Sequence, residues 1–196
     1  MTDWKHRLTG TLEPILRQPD PRPLISAYHD MPFAIFHYPP DAEWEVRAEV
    51  KLLAVRLHAQ AGKRITHISL AECMGEALTR TNLTTQRIEQ AEKQSGLPKT
   101  IDMVHKVISE RQRHPLDGLI LQRTPVDGDP LRDIAFVHRV GAMFPFYRTS
   151  NLTEHLMGKV KIPIILFYPG HLSGPASLVF MGVTNDVNPS YRPKIL

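Results

Sequence analysis

The sequence predicts an α/β domain, a mostly parallel β-sheet with helices on both faces. Three observations predict it. Short apolar runs rich in β-branched and aromatic residues alternate with longer stretches of helical period, the order that builds a parallel sheet. The run "IPIILFY" (162–168) is apolar at every position, as a strand covered on both faces must be. The chain has 196 residues, 42% of them hydrophobic and 22% charged, which suits one such core rather than two.

Residues 1–31 are expected as a lead-in packed on a single domain of residues 32–196. "WKHRLTGTLEPILR" has helical spacing at Trp4, Leu8, Leu12 and Ile15, weakened by Gly10 and Pro14, and "QPDPRP" then breaks it. The first strand is "FAIFHY" (33–38). A helix over 42–61 follows, with Trp44, Val46, Val50, Leu53, Ala54 and Leu57 assigned to its buried face. Asp41 is the expected N-cap, Glu45 is near enough to bond back to it, and Gly62 ends the helix. "RITHISL" (64–70) is the second strand. Helical pattern covers 71–95 and again 99–113, while Leu119, Ile120 and Leu121 fit either an extra strand or a helix end. "PVDGDP" is a loop. "IAFVHRV" (134–140) is the third strand, 151–160 a short helix, 162–168 the fourth strand. Only about eight residues then precede "SLVFMGV", too few for a crossover helix, so this fifth strand is expected antiparallel at an edge.

Composition narrows the function. A single cysteine, Cys73, allows no internal disulfide and fits a reducing compartment. "MTDWKHRLTG" has no apolar core for a signal peptide, and the longest apolar run is too short to span a bilayer, so a cytoplasmic protein is expected. The net charge of +4 and the pI near 9.3 are mild, and the bases are scattered among acids, whereas nucleic-acid surfaces cluster them.

The familiar catalytic and cofactor motifs are missing from the chain or incomplete in it. Neither G-x-x-x-x-G-K-[ST] nor G-x-G-x-x-G occurs. The first strand-to-helix turn, where a nucleotide-binding domain carries its phosphate cradle, reads "HYPPDAE": Pro39 and Pro40 remove two backbone donors, and Asp41 and Glu43 repel an anion. His37, His67 and His138 fall on strands without a fixed ligand spacing, so ordinary strand residues are a better reading than a metal site. "GHLSG" (170–174) has its serine one place late for a nucleophile elbow. Cys73 on a helix reads as a small core residue. No catalytic residue, metal or cofactor is assigned. What remains is aromatic and proline-rich material at strand outlets, where an open α/β sheet carries its functional edge. Phe144, Phe146, Tyr147, Arg148, Tyr168 and Pro169 are the candidate partner-binding residues. Residues of these types form interfaces, and they also lock loops onto a domain. The outlets "GAMFPFYRTS" and "FYPG" are expected side by side, with Arg148 near Tyr168.

"MPFAIFHYPPDAE" (31–43), "RVGAMFPFYRTSNL" (139–152), "IPIILFYPG" (162–170) and "YRPKIL" (191–196) together resemble the BrxB family, a core component of BREX bacteriophage-exclusion systems. The resemblance implies a P-loop-like strand order without Walker motifs. It also implies a role in anti-phage defence beside a methyltransferase, a large ATPase and the phosphatase-like protein PglZ. No catalytic residues carry over from it. "YRPKIL" departs from the family pattern, with Pro193 where a small residue is usual. On this reading the protein is a non-enzymatic protein–protein interaction scaffold that associates with PglZ. The alternative is a degenerate nucleotide-binding or DNA-binding accessory domain.

Overall fold

The computed structural model describes residues 3–26, 32–109, 116–125, 127–147, 152, 156, 158–174, 177–181, 187–188 and 193–196. Its strands are β1 (Phe33–Tyr38), β2 (Arg64–Ser69), β3 (Asp133–His138), β4 (Ile164–Leu172), β5 (Leu178–Phe180), β6 (Val187–Asn188) and β7 (Lys194–Ile195). They lie in the order β2-β3-β4-β1-β7, every neighbour along that path parallel. Strand β5 turns back antiparallel on β4 and pairs β6. The sheet is thus mostly parallel, as the alternating pattern predicts, and the antiparallel fifth strand is where the short connection requires it.

The helices are α1 (Asp3–Arg7), α2 (Glu13–Arg17), α3 (Arg22–Ile25), α4 (Glu43–Ala61), α5 (Leu70–Arg80), α6 (Thr85–Ser95), α7 (Leu97–Ser109) and α8 (Leu116–Arg123). The ambiguous run Leu119–Leu121 belongs to α8. The expected helix 71–95 is two helices, because Asn82 takes a positive φ of 54° and breaks the run. A π-helical stretch, Leu8–Leu12, joins α1 to α2, so Gly10 and Pro14 do not interrupt the arm. The helix expected at 151–160 lies largely outside the described residues.

Strand alternation divides the core into two layers. Ala34, Phe36, Ile134, Phe136, Ile165 and Phe167 face α4 and the N-terminal arm, whose Trp4, Leu8, Leu12 and Leu16 are buried there. Phe33, Ile35, Ala135, Val137, Ile164 and Leu166 face α5, α7 and α8 on the other side. Helix α4 carries the chain from the interior strand β1 to the edge strand β2, across β4 and β3. Its row Val46, Val50, Leu53 and Leu57 is buried over the tilted and edge-on rings of Phe36, Phe167 and Phe136, with centroids 5.9 and 5.3 Å apart. Glu13 on the arm, 3% exposed, accepts a forked pair of bonds from Arg56 on α4 at 2.9–3.1 Å. Among the described residues no helix is long and apolar enough to cross a membrane.

Candidate functional site

The switch point of this sheet lies between β1 and β4, where the crossovers change direction; a ligand crevice is expected outside the carboxyl ends of those strands. A crevice of about 430 Å³ is there, lined by His37, Pro39, Pro40, Asp41, Gly170 and His171. The arm closes over it. Arg7 donates to the His37 carbonyl at 2.8 Å and to the Leu196 carbonyl at 2.9 Å, and its guanidinium lies over the Phe36 ring. The turn itself is a 3₁₀ segment, Pro40–Ala42. Its acids do not act as expected. Ala42 is the N-cap of α4 and no side chain caps it, so Asp41 is not the cap; the 3₁₀ turn holds it one place too early. Glu43 works instead. Its carboxylate accepts the buried Tyr38 hydroxyl and, at 2.8 Å, the Arg47 guanidinium. Burial and this carboxylate push the Tyr38 hydroxyl well above its usual pKa. Gly62 does end the helix, in the left-handed conformation at φ 62°.

The predicted aromatic outlets meet, because β3 and β4 are parallel neighbours. They meet in the core more than at the surface. Tyr147 is 4% and Tyr168 0% exposed, and Pro169 is buried. Tyr168 and Phe144 both pack on Phe180 of β5, at 5.2 and 5.6 Å between ring centroids. Gly170 permits that packing: a Cβ there would lie 2.2 Å from the Val179 carbonyl oxygen. Phe144 and Phe146 are half-buried. Arg148 lies outside the described residues.

The exposed apolar surface is elsewhere. Trp44, assigned to the buried face of α4 from its sequence spacing, is 76% exposed. It stands two residues before Val46, about 200° around the helix, and so points away from the sheet. Leu52 is 52% and Val55 65% exposed. With the exposed Ala48 and Ala59 they form a second apolar row at 44, 48, 52, 55 and 59, opposite the buried one. Helix α4 is apolar on both faces, a pattern proper to a helix covered on both sides. A sequence signal for this existed, since "LLAVRL" offers more apolar residues than one face can hold.

Beside this row is a cleft of about 620 Å³ between α4 and the ends of β2 and β3. Arg47, Lys51, His67, Glu72, His138 and Arg139 line it with Trp44. Arg47 is held by Glu43 and lies 4.5 Å over the Trp44 ring. Among the described residues no carboxylate pairs with Lys51. Arg139 takes φ 58°, in the left-handed region that costs a non-glycine residue strain, and its Nε is buried without a partner among the described residues. Its nearest carboxylate, Glu72, is 4.0 Å from a terminal nitrogen. His67 and His138 stack edge-on at 5.6 Å, and burial with the neighbouring imidazole pushes His138 down to about 4. Among the described residues no group of three potential ligands could hold a metal ion. His37 is separated from the other two by β4. "GHLSG" begins within β4, and Cys73 is buried in α5, its thiol pushed up by burial.

Comparison with known proteins gives two findings. Residues 66–195 match the family described as BREX protein BrxB. A BREX protein BrxB of Bacillus cereus (strain H3081.97) is 26% identical over 161 residues, covering 82% of this chain and 81% of its own length. No solved structure matches.

Proposed function

We propose, from the premise that the chain belongs to the BrxB family of BREX proteins, that it acts as a non-enzymatic protein-binding scaffold in bacteriophage exclusion, with PglZ as its partner. The family match carries the defence role, and the outer row of α4 carries the binding. Trp44, Leu52 and Val55 bury little apolar area in the free chain, whereas burying each against a partner contributes about 1.5–3 kcal/mol before association costs. Phe144 and Phe146, the accessible members of the outlet cluster, are the second candidate contact. Arg148, Tyr147, Tyr168 and Pro169 belong to the same proposal, the buried three acting by holding the loop.

The test is co-purification with PglZ expressed from the same locus. Leu52→Asp with Val55→Asp is expected to weaken the complex by roughly 2–4 kcal/mol, the loss of two hot-spot contacts, with the melting temperature of the free chain retained. Phe144→Ala with Phe146→Ala is expected to cost less. Full retention by the α4 variant would move the contact to the outlet; retention by both would remove the proposal.

A nucleotide role is disfavoured by the β1 turn, where Pro39 and Pro40 remove two backbone donors and the Glu43 carboxylate is already bonded. Calorimetry with ATP and Mg²⁺ is expected to give a dissociation constant no tighter than about 1 mM, roughly −4 kcal/mol. Low-micromolar binding would instead favour the nucleotide-binding alternative.

A further inference from the structure

We propose that the cationic cleft beside α4 is an acid-receiving socket, and that the segment covering the outer row of α4 is an amphipathic helix with carboxylates along one flank. This rests on the reading of α4 as a docking face. The row Trp44, Ala48, Leu52, Val55, Ala59 advances by four, four, three and four residues, about 22 Å along the axis, the repeat that a second helix matches with its own apolar positions. The cleft beside it is mostly cationic: Arg47, Lys51 and Arg139 line it against one acid, Glu72. Lys51 lies in the row's flank with no carboxylate paired to it among the described residues, and Arg139 lines the same cleft, its Nε buried and without a partner among those residues. Glu72, the cleft's one acid, is 71% exposed and only 4.0 Å from Arg139, a loose contact that a better-placed carboxylate would displace. A carboxylate in the cleft would meet the Lys51 ammonium and the terminal nitrogens of Arg139.

Two other occupants fit less well. A second copy of the chain, docked through α4 about a two-fold axis, would bring Lys51 and Arg139 toward their own counterparts, and like charges facing each other oppose association. A single strand of nucleic acid would use Trp44 as a stacking platform and the cations for phosphate. It would leave Leu52 and Val55, the larger part of the row, against a charged backbone.

The experiment has two arms. In the first, affinity for purified PglZ is measured across a salt series for the wild type and for Lys51→Glu, an exposed change on a helix surface that leaves the core untouched. Arg139→Gln is the second variant. Each is expected to weaken binding about tenfold and to flatten the salt dependence. A complex that forms but is indifferent to both changes overturns the socket and leaves the docking face standing. In the second arm the free chain is titrated with three probes. These are a synthetic helix of about eighteen residues with leucine on one face and glutamate on its flank, the lysine version of the same peptide, and an oligothymidylate. Fluorescence reports on Trp44, because Trp4 is 2% exposed. The acidic peptide is expected to bind about tenfold tighter than the basic one and to lose that preference in Lys51→Glu. If PglZ does not bind but this preference is found, the partner is wrong and the socket stands. Equal binding of the two peptides, or binding of the oligothymidylate alone, overturns it.

Discussion

Lys63 is 2% exposed, yet its ammonium is not stranded: it donates to the carbonyls of Gln18, Pro19 and Leu131 at 2.7, 3.1 and 2.6 Å. One lysine thus ties the end of the arm to the entrance of β3, and burial lowers its pKa. His138 is the opposite case, a half-buried group stabilised in its neutral form. Above pH 6.5, the ordinary value, the imidazole is neutral in both folded and unfolded chains and makes no pH-dependent contribution. As pH falls from there toward about 4, the unfolded chain takes up the proton and the folded one does not, so stability is lost across that window. His67 and His37 are shifted in the same direction by burial. Replacing His138 by Gln removes one such group. The melting temperature of His138→Gln, followed from pH 7 to 4.5, is expected to fall less steeply than that of the wild type. Parallel curves would mean that His138 takes its proton freely in the folded chain.

At the scale of the element, the β1–α4 connection is a proline-bounded corner. Pro39 is extended at φ −60° and ψ 135°, Pro40 opens the 3₁₀ turn, and the Glu43 carboxylate between Tyr38 and Arg47 holds the first turn of α4 against the strand. The expected energetic ranking follows. Asp41→Ala, at an exposed residue that caps nothing, changes stability by no more than about 0.5 kcal/mol. Glu43→Ala leaves the buried Tyr38 hydroxyl without an acceptor and costs about 1–3 kcal/mol. Urea unfolding of the two variants checks this, and the reverse order would restore Asp41 as the cap. That reversal was not legible in the sequence. A cap assignment assumes that the helix begins directly after the residue in question, and a single 3₁₀ turn shifts the start by one position.

Across the whole molecule, the two ends of the chain are fastened to one place. The tail strand β7 adds to β1, the Leu196 amide donates to the Ile35 carbonyl at 2.8 Å, and Arg7 of the arm clasps the Leu196 and His37 carbonyls. The interior strand β1 is covered at its edge by residues nearly the full chain length apart. Arg7→Ala is therefore expected to speed hydrogen exchange at Leu196 and to lower stability by about 1–3 kcal/mol, while amides of the β3–β4 pair keep their protection. Unchanged exchange at Leu196 would show that strand pairing alone holds the tail.

Sequence by itself determined the layers. Apolar runs such as "FAIF" and "IILFY" cannot be left in water, and their alternation with helical stretches admits few arrangements other than a parallel sheet covered on both faces. The absence of a glycine–lysine phosphate-loop motif was equally local, since it is read from consecutive residues. The direction in which each helix face points was decided by the tertiary structure. Trp44 and Val46 are both apolar and two residues apart, and only the position of α4 across β3 and β4 buries one and exposes the other. The same holds for the outlets. "FYPG" and "GAMFPFY" contain residues that suit an interface, but β5 folds back over them and takes Tyr168 and Phe144 into its own packing. Periodicity fixes which residues share a face; which face meets the core depends on contacts between elements far apart in the chain.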